Sequence, residues 1–317
     1  MARKIIIDTD PGQDDALAML LAFGFPADLE VLGITCVAGN VPLSYTTRNA
    51  LLICELAGRT DVPVFAGCDR PMVRDLVTAE EVHGKTGLDG PDWDAPVLEL
   101  QPTHAVDWLV ETLMAADDHE ITLCPVGPLT NIAMALVREP RIATKVAEIV
   151  LMGGAYFKGG NITPAAEFNS YVDPHAADVV YRSGIPIVAM SLDVTHEAFM
   201  PKEWIASIGE LGTDLGTKTE AMLSFYERYD LERYGDDGGP LHDPAAIAYL
   251  LKPELYEGKR VYVAVETKSE LTMGMTVVDW WGASVNNGKE PNCTWMTQVD
   301  AEGFFGLIYE ALVALSS

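Results

Sequence analysis

Positive charge is scarce in this chain of 317 residues. Lysine and arginine together number 21 against 47 aspartates and glutamates, which gives a formal net charge of −26. The resulting field repels phosphate backbones and anionic membrane surfaces, so nucleic-acid polymers and anionic lipids are poor candidate partners. The same field favours divalent cations, although a solvated acidic surface explains much of the charge without any ligand.

Long apolar runs and paired cysteines are also missing. No segment reaches the roughly 18 uninterrupted apolar residues of a membrane helix, and the run Ile5 to Ile7 is too short for a secretion signal. The cysteines are odd in number and far apart, which favours buried, reduced thiols over disulfides. We therefore expect a soluble cytoplasmic protein.

Internal repeats, low-complexity tracts and Ser/Gly linkers are absent as well, so one domain over residues 1–317 is the simplest expectation. Short β-branched runs alternate with helical patterns, which is typical of βαβ units. The sequence predicts an α/β fold with an open, mainly parallel sheet flanked by helices. Predicted strands are 4–8, 29–37, 121–126, 148–152, 186–191, 260–267 and 275–280, and predicted helices are 14–23, 44–56 and 301–315.

Two stretches interrupt this alternation. Residues 70–96 are rich in glycine, aspartate and proline, and residues 213–240 form a helical pattern that ends in Gly-Asp-Asp-Gly-Gly-Pro. Long excursions of this kind often act as lids over a binding site.

The segment DTDPGQDD, from Asp8, places four carboxylates within eight residues directly after the first predicted strand. Ligand crevices of parallel α/β sheets form at the carboxyl ends of strands. Clustered carboxylates ionise together only when a cation neutralises them, and an all-oxygen set suits calcium or magnesium. The alternative is that Asp14 and Asp15 only stabilise the positive N-terminus of the next helix. An EF-hand loop fits poorly, because Gln13 stands where that loop has glycine.

Three further segments carry polar side chains beside predicted elements. If residues 167–169 are extended, the side chains of Glu167 and Asn169 lie on one face, where they can hydrogen-bond to sugar hydroxyls. The alternative is an ordinary polar loop that ends at Asp173, before the next helix. Asp243, which is followed by Pro244, is either a metal ligand or only the N-cap of the next helix. The turn from 126 to 131 follows a strand and exposes backbone oxygens at its end.

Together these segments resemble the inosine-uridine-preferring nucleoside hydrolase family. The resemblance runs from Asp8 to the helix after Asp243, in the family's order and spacing. Its pieces are DTDPGQDDA, Gly39-Asn40, HGKTGLDG from His83, GPLTN from Gly127, LMGGA from Leu151, residues 161–169 and HDP from His242.

That resemblance implies a calcium site, a ribose site and a base site. Calcium is expected on Asp10, Asp15, Asp243 and the main-chain carbonyl of Val126. Many relatives carry threonine at the position of Val126, but a main-chain ligand does not depend on the side chain. The expected ribose residues are Asp14, Asn40 and Asn169 for the diol, Asn161 and Glu167 for the 5′ hydroxyl, and Met152 beside the sugar. The expected base residues are His83, Phe168, Tyr226, Tyr229 and His242.

The implied reaction is hydrolysis of the N-glycosidic bond of a ribonucleoside, with pyrimidines modestly favoured. Asp10 is expected to act as the general base, and His242 is a candidate proton donor to the leaving base. The family also implies a homodimer or homotetramer. Two other functions remain open at this point: a haloacid-dehalogenase-like phosphatase, which also has Asp-x-Asp after its first strand, and a non-catalytic nucleoside-binding protein.

Overall fold

Buried β-branched segments pair into one nine-stranded sheet in the computed structural model, which describes residues 2–234, 238–283 and 288–317. The strands are β1 (Arg3–Thr9), β2 (Leu29–Cys36), β3 (Val64–Ala66), β4 (Ile121–Pro125), β5 (Val146–Met152), β6 (Ile187–Met190), β7 (Tyr256–Val265), β8 (Thr276–Asp279) and β9 (Cys293–Val299). Their order across the sheet is β3-β2-β1-β4-β5-β6-β9-β7-β8. Pairing is parallel from β3 to β9, whereas β7 is antiparallel to both β9 and β8. The predicted fold class is confirmed.

Helices cover both faces of this sheet. They are α1 (Gln13–Gly24), α2 (Leu43–Leu56), α3 (Glu80–His83), α4 (Ala105–Ala115), α5 (Thr130–Arg138), α6 (Phe168–Val172), α7 (Pro174–Tyr181), α8 (Leu192–Thr195), α9 (Lys202–Gly209), α10 (Asp214–Tyr234), α11 (Pro244–Leu251) and α12 (Ala301–Leu315), with 3-10 turns at Pro140–Thr144 and Pro253–Leu255.

The first strand shows why both faces are covered. Side chains alternate along a strand, so Ile5 and Ile7 enter one apolar layer with α1, α2, α11 and α12, while Ile6 enters the other with α4, α5 and α7. All three isoleucines are fully buried. A strand that is buried on both sides is typical of the middle of a parallel sheet.

Most predicted elements lie within a few residues of the observed ones, and the predicted helix 301–315 matches α12. Two strands, β3 and β9, were not predicted. Residues 70–96 contain only the short helix α3, and residues 213–240 contain α10, with 235–237 outside the described residues. All five cysteines are free thiols, and four of them are buried, as predicted.

Among the helices of the described residues, none has both the length and the apolarity that crossing a membrane requires.

Candidate active site

The carboxyl ends of the parallel strands meet at one edge of the sheet, where a cavity opens to the surface. Its lining includes most of the residues predicted for the site: Asp14, Asn40, His83, Val126, Met152, Asn161, Glu167, Phe168, Asn169, Tyr226, Tyr229, His242 and Asp243. The other two, Asp10 and Asp15, are buried and do not line the cavity.

Asp15 stabilises the turn between β1 and α1. Its carboxylate accepts hydrogen bonds from the backbone N–H of Gly12 at 3.0 Å and of Asp10 at 3.2 Å. It also accepts from the Thr9 hydroxyl and from the Asn40 amide. The helix-start interpretation therefore holds for Asp15, but it accounts for only part of the carboxylate cluster.

Asp10 is held by close packing rather than by many hydrogen bonds. Its Oδ2 accepts from the backbone N–H of Asn40 at 2.6 Å, whereas Oδ1 is buried without a hydrogen-bond partner among the described residues. A Cβ at Gly39 would lie 2.0 Å from Oδ2, and a Cβ at Gly127 would lie 2.3 Å from Oδ1. Only glycine leaves room at these two positions, so the backbone itself orients this carboxylate.

Three carboxylates meet at the bottom of the cavity. One ligand oxygen each from Asp14, Asp15 and Asp243 lies within 4.8 Å of the others, and all three residues are buried. Asp243 precedes α11, yet its side chain makes no capping hydrogen bond to that helix. Plain capping therefore does not explain Asp243.

The electrostatics of this cluster favour a bound cation. Burial raises the pKa of Asp10 and Asp243 well above the ordinary value and also raises the pKa of Asp15. The negative charges of Asp14 and Asp15 raise the pKa of Asp243 further. Buried carboxylates so close together stay ionised only beside positive charge, and their all-oxygen chemistry suits a hard divalent ion.

Asn169 links two strand ends across the cavity. Its amide nitrogen donates to the carbonyl of Val126, just after β4, at 2.8 Å, and to the carbonyl of Met152, at the end of β5, at 3.2 Å. A carbonyl oxygen has two lone pairs, so Val126 can accept this bond and still coordinate an ion.

Residues 167–169 are not an extended segment, so the shared face that extended geometry would give to Glu167 and Asn169 does not apply. Glu167 is the N-cap of α6, which begins at Phe168, because its carboxylate accepts from the backbone N–H of Asn169 at 2.7 Å and of Ser170 at 3.1 Å. Its Oε2 also accepts from the Gly154 N–H at 2.9 Å. Glu167, Phe168 and Asn169 consequently all line the cavity instead of alternating between two faces.

The other side of the cavity is built by the two excursions. His83, at the end of α3, stacks on Tyr226 of α10 with 5.6 Å between ring centroids. The Tyr226 hydroxyl lies 3.5 Å from Oδ2 of Asp14, which joins this side to the carboxylate cluster. Tyr229 lies one turn further along α10 and also lines the cavity. The excursions therefore contribute residues to the lining of the cavity, and their action as lids stays a prediction.

His242 lies beside Asp243 at the start of α11. Its Nδ1 is 2.8 Å from the Thr195 hydroxyl, and its ring centroid is 5.6 Å from that of His196. Burial, with a smaller effect of His196, lowers the pKa of His242 well below its ordinary value. Thr195 thus occupies one ring nitrogen and leaves the other for a ligand.

Several residues that shape the site were missed by the sequence analysis. Ala79, Glu81, Val82 and Ile162 line the cavity without a recognisable motif. Asp193, in α8 after β6, does not line the cavity but supports the loop that follows β5, because its Oδ1 accepts from the backbone N–H of three successive residues, 156 to 158. A carboxylate directly after a strand was the signal that could have found Asp193, as it found the cluster after β1.

Comparison with known proteins agrees with this geometry. A pyrimidine-specific ribonucleoside hydrolase, RihA, of Photobacterium profundum is 45% identical over 313 residues, covering 98% of this chain and 99% of the relative. A plant nucleoside hydrolase, PpNRh1, has a structure with TM-score 0.92 and 34% identity, covering 99% of both chains. The purine-preferring ribonucleoside hydrolase of Gardnerella vaginalis has TM-score 0.92 and 30% identity, again over 99% of both chains.

The sequence model of one family matches residues 5–306, which is nearly the whole chain and includes every site residue named above. The haloacid-dehalogenase-like phosphatase alternative is thereby removed, since its Asp-x-Asp pattern alone does not reproduce this match. The chain belongs to the inosine-uridine preferring nucleoside hydrolase family.

Proposed function

We propose that this protein hydrolyses the N-glycosidic bond of ribonucleosides to free base and ribose, with calcium as its metal and pyrimidine nucleosides as its preferred substrates. One observation supports the proposal: buried carboxylates, polar side chains and aromatic rings lie together at one cavity at the edge of the sheet. A nucleoside carries a group that matches each of these: a ribose diol for the carboxylates and their metal, further ribose hydroxyls for the polar side chains, and a planar base for the aromatic rings.

The donor set fits calcium, which prefers six to eight oxygen ligands including carboxylates and backbone carbonyls. We assign Asp10, Asp15, Asp243 and the carbonyl of Val126 as the ligands. Asp15 and Asp243 belong, together with Asp14, to the group of carboxylate oxygens that lie within 4.8 Å of one another, and Asp10 is assigned by the family resemblance. Calcium, when bound, supplies the charge that orients the attacking water and lowers its pKa.

The ribose is assigned to the polar residues around the strand ends. Asp14, Asn40 and Asn169 are proposed to bind the 2′ and 3′ hydroxyls, because carboxylate and amide oxygens accept hydrogen bonds from a diol. Asn161 and Glu167 are proposed for the 5′ hydroxyl, with Met152 packed against the sugar. Both side chains lie at the start of α6, where Asn161 accepts from the backbone N–H of Phe168 and Glu167 from that of Asn169.

Proton transfer is assigned to Asp10. Its Oδ1 has no hydrogen-bond partner in the described part of the chain and can therefore accept a proton from water. Bond cleavage builds positive charge on the ribose ring, and the surrounding carboxylates are proposed to stabilise that charge.

The base is assigned to His83, Phe168, Tyr226, Tyr229 and His242. Aromatic rings stack on a planar base, and histidine nitrogens hydrogen-bond to its edge. His242 is additionally proposed as the proton donor to the leaving base. A pyrimidine preference is supported by the name of the 45% identical Photobacterium profundum relative, whereas the Gardnerella vaginalis protein, described as purine-preferring, is 30% identical.

Release of free ribose tests the proposal. The purified protein is expected to liberate ribose from uridine and cytidine faster than from inosine, measured as reducing sugar. Uridine that binds in calorimetry but yields no ribose would support the non-catalytic binding protein and overturn the hydrolase.

We further propose that residues 1–317 form one domain and that the enzyme acts in the cytoplasm as a homodimer or homotetramer. Trp281 and Leu271 are 85% and 86% exposed, and burial of these apolar side chains between subunits would remove them from water. Sedimentation of the native protein tests the assembly, and a monomer at micromolar concentration would contradict it.

A further inference from the structure

Gln13 lies in the first turn of α1, beside the carboxylate cluster, yet its side chain reaches the excursion 70–96. Its amide nitrogen donates to the carbonyl of His83 at 3.0 Å and to the carbonyl of Asp89 at 3.1 Å. Carbonyl oxygens only accept hydrogen bonds, so these two contacts fix which end of the amide is nitrogen. The side chain is fully buried, and its Oε1 therefore has one defined direction.

That direction is toward the ring of His83. Oε1 of Gln13 lies 2.8 Å from Nδ1 of His83. Since Oε1 can only accept, the proton of a neutral imidazole must be on Nδ1, and Nε2 keeps a lone pair. His83 stays neutral because its burial lowers the pKa to about 3.

Packing holds the ring in this position. A Cβ at position 12 would lie 2.3 Å from Nδ1 of His83, so Gly12 is the residue that allows the ring to lie against the turn after β1. On the other side the ring stacks on Tyr226 at an interplanar angle of 27°. With Nδ1 occupied by Gln13, Nε2 is the ring nitrogen that His83 offers to the cavity it lines.

We propose that Gln13 is a specificity-determining residue: it sets the tautomer of His83, which then presents Nε2 as a hydrogen-bond acceptor to an N–H group of the base. The inference rests on the proposed function for the identity of the ligand. In uridine the matching group is N3–H, and in cytidine it is the exocyclic amino group. The O2 and O4 atoms of uracil are acceptors and do not match Nε2 in this tautomer.

The tautomer is measured directly in the free enzyme by nitrogen NMR of protein labelled at histidine, with the His83 signals assigned from a His83→Asn variant. The wild-type protein is expected to carry the proton on Nδ1. Gln13→Met removes the acceptor, and a fraction with the proton on Nε2 is expected to appear. Gln298→Met makes the same substitution at an exposed strand residue and is expected to leave the His83 signals unchanged.

Gln13→Glu separates tautomer control from simple loop support. Its carboxylate still accepts from Nδ1 but cannot donate to the carbonyls of His83 and Asp89. The Nδ1–H tautomer is therefore expected to persist in Gln13→Glu even though the loop contacts are lost. A wild-type proton on Nε2, or the same tautomer in Gln13→Met as in wild type, overturns the proposal.

The contact with the base is tested by comparing uridine with 3-methyluridine. The methyl group of 3-methyluridine imposes the same steric penalty in the wild type and in Gln13→Met. It also removes the N3–H donor, and this loss lowers activity only in a protein whose His83 Nε2 accepts a hydrogen bond. The ratio of kcat/KM for the two substrates is expected to fall about fivefold from wild type to Gln13→Met, the effect of one hydrogen bond. An unchanged ratio overturns the base contact. No ribose from uridine would refute the proposed function and this contact, while the tautomer would still be decided by the NMR measurement.

Discussion

The two sides of the cavity are built in different ways. We call the residues beside the strand ends the floor: Asp10, Asp14, Asp15, Asn169 and Asp243. We call the residues facing them from the excursions the wall: His83, Tyr226 and Tyr229. The floor depends mainly on the sheet, since three of its four carboxylates follow β1 and its amide bridges the ends of β4 and β5, while Asp243 precedes α11. The wall depends on a ring stack and on a few hydrogen bonds between segments far apart in the chain.

This difference explains how one fold can serve several bases. The purine-preferring Gardnerella vaginalis protein shares the fold with TM-score 0.92, so the arrangement of the sheet cannot by itself decide the base. Most floor residues are placed by that shared sheet, whereas wall residues are placed by the two excursions. We therefore expect changes to the floor to affect every substrate and changes to the wall to affect only the choice among bases.

Metal removal gives the largest effect expected for the floor. Prolonged dialysis against a chelator is expected to abolish ribose release from every nucleoside, and added calcium is expected to restore it. Calcium is also expected to raise the Tm, because it binds the folded carboxylate cluster and relieves its repulsion. Calorimetry measures the same binding without relying on turnover. Full activity in protein shown to be free of metal would refute the assignment.

Loss of one ribose hydroxyl is expected to cost nearly as much. The 2′ hydroxyl is assigned to the floor, where its removal leaves buried polar partners unpaired. A site of this kind discriminates by roughly 10⁴-fold or more, so kcat/KM for 2′-deoxyuridine is expected to fall that far below the value for uridine. Similar values for the two substrates would show that the floor does not hold the diol.

Removing the proposed base tests the chemistry of the floor. Asp10→Asn keeps an acceptor for the Asn40 N–H but cannot take a proton from water, so kcat is expected to fall about 10²- to 10⁴-fold. Asp28→Asn, at an exposed position, provides the matched control. Wild-type turnover by Asp10→Asn, with uridine or cytidine, would exclude Asp10 as the base.

Two floor residues could be predicted from the local sequence pattern, whereas the wall residues were expected only from the family resemblance. Asp10 and Asp15 follow a strong strand pattern, and position after a strand is readable locally. The hydrogen bond between Gln13 and His83 joins residues 70 positions apart, and no local pattern signals it.

Parts of the fold also depend on contacts between distant residues that no local sequence pattern signals. Strand β9 lies between β6 and β7 in the sheet although it follows both in the chain. Strand β3 has only three residues, too few for a periodic pattern.

Tyr229→Phe is expected to have the smallest effect and tests the wall alone. Tyr229 lines the cavity but is only half-buried, so its hydroxyl contributes at most one hydrogen bond to the base, worth about fivefold in kcat/KM. Uridine and cytidine carry different groups at C4, and we expect their kcat/KM ratio to change while the preference for uridine over 2′-deoxyuridine stays constant. Tyr45→Phe, at an exposed position, controls for the substitution. If Tyr229→Phe weakened discrimination against 2′-deoxyuridine as strongly as it altered base choice, floor and wall would be one coupled unit, and the division between sugar and base recognition would fail.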